Sequence, residues 1–127
     1  MPNSFASVAF LLLSTSALAA PMECPTSDRE AVIELIDHSA TCQRSLQVFK
    51  ACASGAGGDI RLGEAVVKRC EQEFLGKLNS ARQLIYERKQ KECARKFEKQ
   101  SGTMYRSFEA FCSANVADAY SRRFHKK

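Results

Sequence analysis

The stretch CQRSLQVFKACASGAGGDIRLGEAVVKRC, residues 42–70, has a cysteine at each end and a glycine-rich segment at its centre. On both sides of that segment apolar residues recur every three or four positions, which is typical of amphipathic helices. Gly55, Gly57 and Gly58 supply the backbone freedom of a turn. The stretch therefore predicts two antiparallel helices joined by a short connection.

The cysteine positions predict how neighbouring helices are joined. Cys42 and Cys70 lie at equal distances from the centre of the glycine-rich turn, and residues placed in this way face each other in a helical hairpin. Cys93 and Cys112 lie at nearly equal distances from Gly102, within a second predicted turn. We therefore expect the disulfides Cys42–Cys70 and Cys93–Cys112.

The remaining cysteines, Cys24 and Cys52, form the third predicted pair. An even number of cysteines in a short exported chain is typical of a disulfide framework. A straight helix would hold these two residues about 40 Å apart, at about 1.5 Å per residue. Either the first helix breaks near residues 37–39 or the pairing differs, because six cysteines allow about 15 connectivities.

Helix-start signals divide the chain after Pro25 into four helical segments. Capping boxes begin the first segment at Ser27 and the third at Ser80, and Asp59 is the predicted N-cap of the second. The fourth segment runs from 103 to about 123 after a Ser-Gly-Thr turn. The predicted fold is all-α: a small antiparallel helical bundle of about four segments, stapled by disulfides.

The predicted core follows from the apolar residues that share one face of each segment. In the first segment these are Val32, Ile36, Ser39, Cys42, Leu46, Phe49 and Ala53. In the second they are Ile60, Gly63, Val67, Cys70, Phe74 and Leu78, after which Gly76 and Asn79 interrupt the pattern. In the third and fourth they are Ile85, Cys93, Phe97, Met104, Phe108, Phe111, Cys112, Val116 and Ala119.

The N-terminus has the pattern of an export signal. Residues 1–20 carry no charged side chain, residues 5–13 are apolar, and Ala17-Leu18-Ala19 is a typical signal peptidase site. The apolar stretch is shorter than the roughly 20 residues of a membrane-spanning helix, so cleavage is favoured over an anchor. We expect a signal peptide over residues 1–19 and a single cysteine-rich domain over 20–127, located in the periplasm or secreted.

No motif for catalysis, for a cofactor or for a metal is found. The two histidines, His38 and His125, lie far apart in the chain and no C-x-x-C occurs, so clustered metal ligands are missing. Glu34 and His38 lie four apart on a helix, which is usually a surface pair. We predict a non-enzymatic protein without cofactor or metal; a small hydrolase with an unrecognised site is the alternative from another class.

Basic residues concentrate in the third helical segment and dominate the net charge of +5. The residues concerned are Arg82, Arg88, Lys89, Lys91, Arg95, Lys96 and Lys99. They predict a docking face for a cell-wall polymer, an anionic membrane surface or an acidic protein, although such runs are more often solvated helix faces. Nucleic acid is disfavoured by export and by the few exposed aromatic residues. Residues 121–127 form a basic tail, which is a candidate for disorder.

The C-terminal half carries an ordered series of short motifs around its two cysteines. In chain order they are Ala81-Arg82-Gln83, Ile85, Lys89, Glu92-Cys93, Ser101-Gly102-Thr103-Met104-Tyr105, Cys112 and Arg122-Arg123. In this order and spacing, residues 78–123 resemble the LprI-type lysozyme-inhibitor family of small exported bacterial proteins. That family has tryptophan at the position of Ile85 and an Arg-Asp pair at the position of Lys89-Gln90. The resemblance implies a periplasmic helical protein that binds and blocks a lysozyme.

Net charge sets a condition on that function. Lysozymes are commonly basic, so a protein of charge +5 repels them unless an acidic patch makes the contact. A family fold also carries over to a new sequence more readily than an activity. The sequence therefore predicts an exported cell-envelope binding module, lysozyme-inhibitor-like or, alternatively, a basic adaptor that docks on an anionic envelope component.

Overall fold

The computed structural model describes residues 20–125, and over this range the chain forms five α-helices and no strand. The helices are α1 (Arg29–Asp37), α2 (Cys42–Cys52), α3 (Asp59–Phe74), α4 (Ser80–Phe97) and α5 (Thr103–His125), with a 3₁₀ turn at Leu75–Lys77. The protein is an all-α, disulfide-stapled bundle, as predicted. The predicted signal peptide, residues 1–19, lies outside the described residues.

The first predicted helix is broken into α1 and α2. Asp28 rather than Ser27 caps α1, because its side chain accepts hydrogen bonds from the backbone N–H groups of Glu30 and Ala31. Thr41 caps α2 by accepting from the N–H of Arg44. The break therefore falls close to residues 37–39, which is one of the two outcomes that the Cys24–Cys52 pairing allowed.

Three disulfides join the elements, and they are the three predicted pairs. Cys42–Cys70 links α2 to α3 with the Cα atoms 4.5 Å apart, and Cys93–Cys112 links α4 to α5 with the Cα atoms 5.6 Å apart. Cys24–Cys52 ties the segment before α1 to the end of α2, with the Cα atoms 4.8 Å apart. Disulfides persist in oxidising compartments outside the cytosol, so this set is typical of an extracytosolic protein.

Helices α3 and α5 form the centre of the bundle. Helices α1 and α2 pack on α3, and α4 packs on α5. Gly63 of α3 meets Ala110 of α5 so closely that a β-carbon on the glycine would lie 2.9 Å from the Cβ of Ala110. The largest fully buried apolar side chains are Phe49, Phe74, Ile36 and Val66. None of the described helices is both long and apolar enough to cross a membrane.

Several predicted inner faces are rotated in the structure. Helix α3 buries Leu62 and Val66, while Ile60 and Val67 are only half-buried, because α3 is covered by α1 and α2 as well as by α5. In α4 the inward residue is Tyr86, and Ile85 is 47% exposed, which corrects the prediction for that position.

Helix α5 shows the largest departure from the predicted core. Met104 and Phe108 are 51% and 44% exposed, whereas the buried face consists mainly of small residues. These are Ser107, Ala110, Ala114, Ala117 and Ser121. Small side chains let α5 approach α3 closely. The face of α5 that packs on α3 is therefore the one with small residues, whereas the prediction chose the face with the largest apolar side chains.

Two local predictions at helix ends are also corrected. Asp59 is the first residue of α3 rather than its N-cap, which is Gly58. The carboxylate of Asp59 instead accepts hydrogen bonds from the N–H groups of Ser54 and Gly55 and from the Ser107 hydroxyl. Helix α5 continues to His125, so residues 121–125 are helical rather than a disordered tail.

Candidate functional site

Two concave surfaces flank α4 and are the candidate sites. The first, which we call the acidic groove, lies between α3, α4 and α5 and has a volume of about 490 Å³. The second, which we call the basic pocket, lies between α4 and the end of α5 and has a volume of about 500 Å³.

The acidic groove has an apolar wall supplied by α3 and α5. Ile60 and Val67, which were predicted to be core residues, are only partly covered and line the groove. Gly63 and Ala110 line it as well, at the closest approach of the two helices. An apolar wall of this kind provides burial for a bound side chain.

A hydrogen-bonded network fixes the polar side of the groove. The Tyr86 hydroxyl donates to Oε1 of Glu71 at 2.8 Å. Nε2 of Gln90 donates to the Tyr86 hydroxyl at 2.9 Å and to the Ser113 carbonyl at 3.1 Å. Burial and the Glu71 carboxylate raise the pKa of Tyr86 well above its usual range. Tyr86 is therefore a neutral hydrogen-bonding group at any physiological pH.

Carboxylates outnumber ammonium groups around this groove. The acidic residues lining it are Glu64, Glu71, Glu87 and Glu109, and the basic ones are Lys68 and Lys91. The Oε2 atom of Glu109 is buried and forms an ion pair with Nη1 of Arg106, 3.0 Å away. Within the described part of the chain, no hydrogen bond of good geometry reaches this atom. The groove is thus a locally acidic surface on a protein whose net charge is +5.

The basic pocket combines cations with aromatic rings. Arg82 and Lys89 of α4 and Arg123 of α5 line it, together with Leu78, Ile85, Tyr120 and Phe124. The Lys89 Nζ lies 5.5 Å and the Arg123 Cζ 4.6 Å from the centroid of the Tyr120 ring. Both distances are within the range of cation–π attraction.

The seven predicted docking residues do not share one surface. Arg82 and Lys89 lie in the basic pocket, whereas Lys91 lines the acidic groove. Lys96 lies over the ring of Phe97, with its Nζ 5.5 Å from the centroid. The residues on the exposed outer side of α4 and just beyond its end are Arg88, Arg95 and Lys99. Helical geometry separates them because residues one or two positions apart point in different directions.

Sequence reasoning missed the residues that other helices contribute to these sites. Arg123 was assigned to the tail, although a helix that continued past Ala119 places it beside Tyr120 of the same turn. The four carboxylates of the acidic groove come from three helices, so no local motif marks them. Identifying Tyr86 as an inward-facing residue would have indicated which side of α4 faces α3.

The polar cluster around Glu73 differs in arrangement from a hydrolytic triad. Glu73 Oε2 accepts from the Ser121 hydroxyl at 3.2 Å, and Oε1 lies 3.0 Å from Nε2 of His125. A catalytic histidine must lie between the serine and the carboxylate, whereas here the carboxylate lies between the other two. Ser121 is also fully buried. His38 is exposed at the end of α1 and lines neither candidate site.

The described residues include no free thiol and no group of side chains suited to a metal ion. All six cysteines are in disulfides. Over residues 20–125 no three side chains of His, Cys, Asp or Glu are grouped so that they could hold a metal ion.

Comparison with known proteins gives no relative: no family model, no curated protein and no solved structure matches the chain.

Proposed function

We propose that the chain is an exported, non-enzymatic binding module of the cell envelope whose acidic groove receives a segment of a basic protein. Export is supported by the signal-like N-terminus and by the three disulfides. The observation that carries the proposal is the acidic groove, which joins an apolar wall to an excess of carboxylates.

Charge complementarity identifies the kind of partner. Glu64 and Glu87 are exposed at the groove, and they form no ion pair with any other described residue. A Lys or Arg side chain of a partner would therefore gain an electrostatic contact without breaking an ion pair. Its methylene groups would pack on Ile60 and Val67, as long cationic side chains do on apolar surfaces.

A lysozyme is the partner that the sequence resemblance suggests. A protein of charge +5 needs an acidic patch to bind a basic lysozyme, and the acidic groove is such a patch. In this proposal the protein inhibits lysozyme by occupying its surface, and no chemical step takes place.

The test is a bacterial cell-lysis assay with a basic lysozyme and the disulfide-bonded protein. We expect the protein to slow lysis, and the double variant Glu64→Gln/Glu87→Gln to inhibit at least about tenfold less, as expected for charge pairs at an interface. The matched control is Glu23→Gln/Glu98→Gln, which removes the same charge at two exposed positions outside the groove.

Two results would contradict the proposal. An unchanged rate of lysis at excess protein would exclude lysozyme as the partner. Equal loss of inhibition in the groove variant and in the control would exclude the groove as the contact surface.

A further inference from the structure

The basic pocket lies on the other flank of α4 from the acidic groove and is independent of it. The groove uses Tyr86, Glu87, Gln90 and Lys91, whereas the pocket uses other α4 residues, Arg82, Ile85 and Lys89. None of the described residues lines both surfaces. A ligand of the pocket is therefore separate from the partner proposed for the groove.

The cations of the pocket are not neutralised within the described part of the chain. Arg82, Lys89 and Arg123 are exposed, and none of them forms an ion pair with a described residue. Over residues 20–125, no carboxylate lines the pocket. Three like charges around one concavity repel each other, and an anion placed among them would relieve that repulsion.

An aromatic floor positions these cations. Tyr120 is 5% exposed, and its ring is held by Phe74 at 5.5 Å and by Tyr86 at 5.0 Å between centroids. Lys89 and Arg123 both lie over this ring, and Lys77 lies over Phe124, with its Nζ 5.6 Å from the ring centroid. Cation–π contacts leave the N–H donors of the cations available to a further ligand.

Partly exposed apolar side chains in the wall of the pocket indicate the source of the anion. Ile85 is 47% exposed and Phe124 is half-buried. A soluble phosphate would gain nothing from these side chains. A membrane surface would bury them among its acyl chains while its headgroups meet the cations, which is how basic amphipathic surfaces bind lipid.

We propose that the basic pocket binds the phosphate headgroup of an anionic phospholipid, with Ile85 inserted beside it into the membrane surface. Arg82, Lys89 and Arg123 contact the phosphate. The protein is thereby held at a membrane through α4 and the end of α5, with the acidic groove on the opposite flank of α4.

Vesicle co-sedimentation tests this proposal. The probes are vesicles of phosphatidylglycerol and phosphatidylcholine in equal amounts and vesicles of phosphatidylcholine alone. We expect the protein to bind only the first, and the variant Arg82→Gln/Lys89→Gln/Arg123→Gln to bind at least about tenfold more weakly. The control Arg88→Gln/Arg95→Gln/Lys99→Gln removes the same charge from outside the pocket and should lose no more than about threefold.

Two further measurements separate the lipid from other sources of phosphate. The variant Ile85→Ser should bind the mixed vesicles several-fold more weakly, because it keeps the cations and lacks the apolar insertion. Inorganic phosphate at vesicle-like concentrations should not displace the protein from the vesicles.

Several outcomes would overturn the proposal. Equal losses in the two triple variants would mean that binding follows net charge rather than the pocket. Displacement by inorganic phosphate would mean that the ligand is a free anion, and full binding by the serine variant would mean that Ile85 does not insert into the membrane. The substituted residues are exposed, and far-ultraviolet circular dichroism should give the same helix content for every variant.

Discussion

At the scale of single residues, Asp59 joins the α2–α3 connection to α5. Its side chain is almost fully buried, and its two carboxylate oxygens accept three hydrogen bonds, from the backbone N–H groups of Ser54 and Gly55 and from the hydroxyl of Ser107. Bonds to a charged acceptor are among the stronger ones in proteins. One side chain thus fixes both the turn and the position of α5.

We predict that Asp59→Asn lowers the free energy of unfolding by about 2–3 kcal/mol, because the amide cannot accept all three bonds and leaves a buried donor without a partner. Urea denaturation measures this difference. Asp28→Asn is the control, since asparagine is an equally good N-cap and Asp28 is exposed, so its effect should stay below about 0.5 kcal/mol. Equal effects of the two changes would exclude the role given to Asp59.

The contact of Gly63 with α5 gives a second prediction. An alanine here would put its Cβ 2.9 Å from the Cβ and 3.0 Å from the carbonyl oxygen of Ala110. We expect Gly63→Ala to lower the free energy of unfolding by about 1–3 kcal/mol through overpacking, despite the better helix propensity of alanine. Gly76→Ala, which meets nothing within 4 Å, should change it little. A stabilised Gly63→Ala protein would mean that α3 and α5 can move apart freely.

At the scale of elements, distances along the chain predicted more than side-chain type did. The disulfides Cys42–Cys70 and Cys93–Cys112 followed from how far each cysteine lies from a turn, and this relation holds in any helical hairpin. Whether Ile85 or Tyr86 faces the core depends on how α4 is rotated about its own axis. Two adjacent apolar residues do not determine that direction; it is fixed by the packing of the Tyr86 ring against Phe74 and Tyr120.

The sites were predicted less fully than the fold for a related reason. Arg82 and Lys89 were identified because a basic run is visible in one segment, but their partner Arg123 lies more than thirty residues away. The excess of carboxylates at the acidic groove arises only when three helices are brought together. A single sequence shows the charges on each helix, whereas the sum at a concave surface depends on the packing of all three.

Two of the disulfides allow a controlled comparison between elements. Cys24–Cys52 and Cys42–Cys70 have the same sequence separation of 28 residues. Loop entropy alone predicts that removing either one costs about 3–4 kcal/mol. Cys42 and Cys70 are fully buried between α2 and α3, whereas Cys24 and Cys52 are only partly buried, so native packing distinguishes the two bonds.

We therefore predict that Cys42→Ala/Cys70→Ala destabilises the protein more than Cys24→Ala/Cys52→Ala does, by about 1–2 kcal/mol for the lost core packing. Urea denaturation of the two double variants measures the difference at equal loop length. Equal destabilisation would mean that the bonds act on the unfolded chain alone. Greater destabilisation by the Cys24–Cys52 variant would mean that the segment before α1 is more important to the bundle than its burial indicates.

At the scale of the whole molecule, α4 separates two surfaces of opposite charge. Carboxylates predominate at the acidic groove and cations line the basic pocket, although both surfaces contain residues of the same helix. We propose a different class of ligand for each surface, a basic protein on one flank and an anionic lipid on the other. Because the two surfaces share none of the described residues, we expect both ligands to bind at once.

The two proposals together predict a double dissociation. Arg82→Gln/Lys89→Gln/Arg123→Gln should lose vesicle binding and keep lysozyme inhibition, and Glu64→Gln/Glu87→Gln should do the reverse. The physical reason is that the substituted groups line different concave surfaces on opposite flanks of α4. Both assays are run on both variants at the same ionic strength. If either variant lost both activities while keeping its helix content, the flanks would form one site, and the separation of the two functions would be wrong.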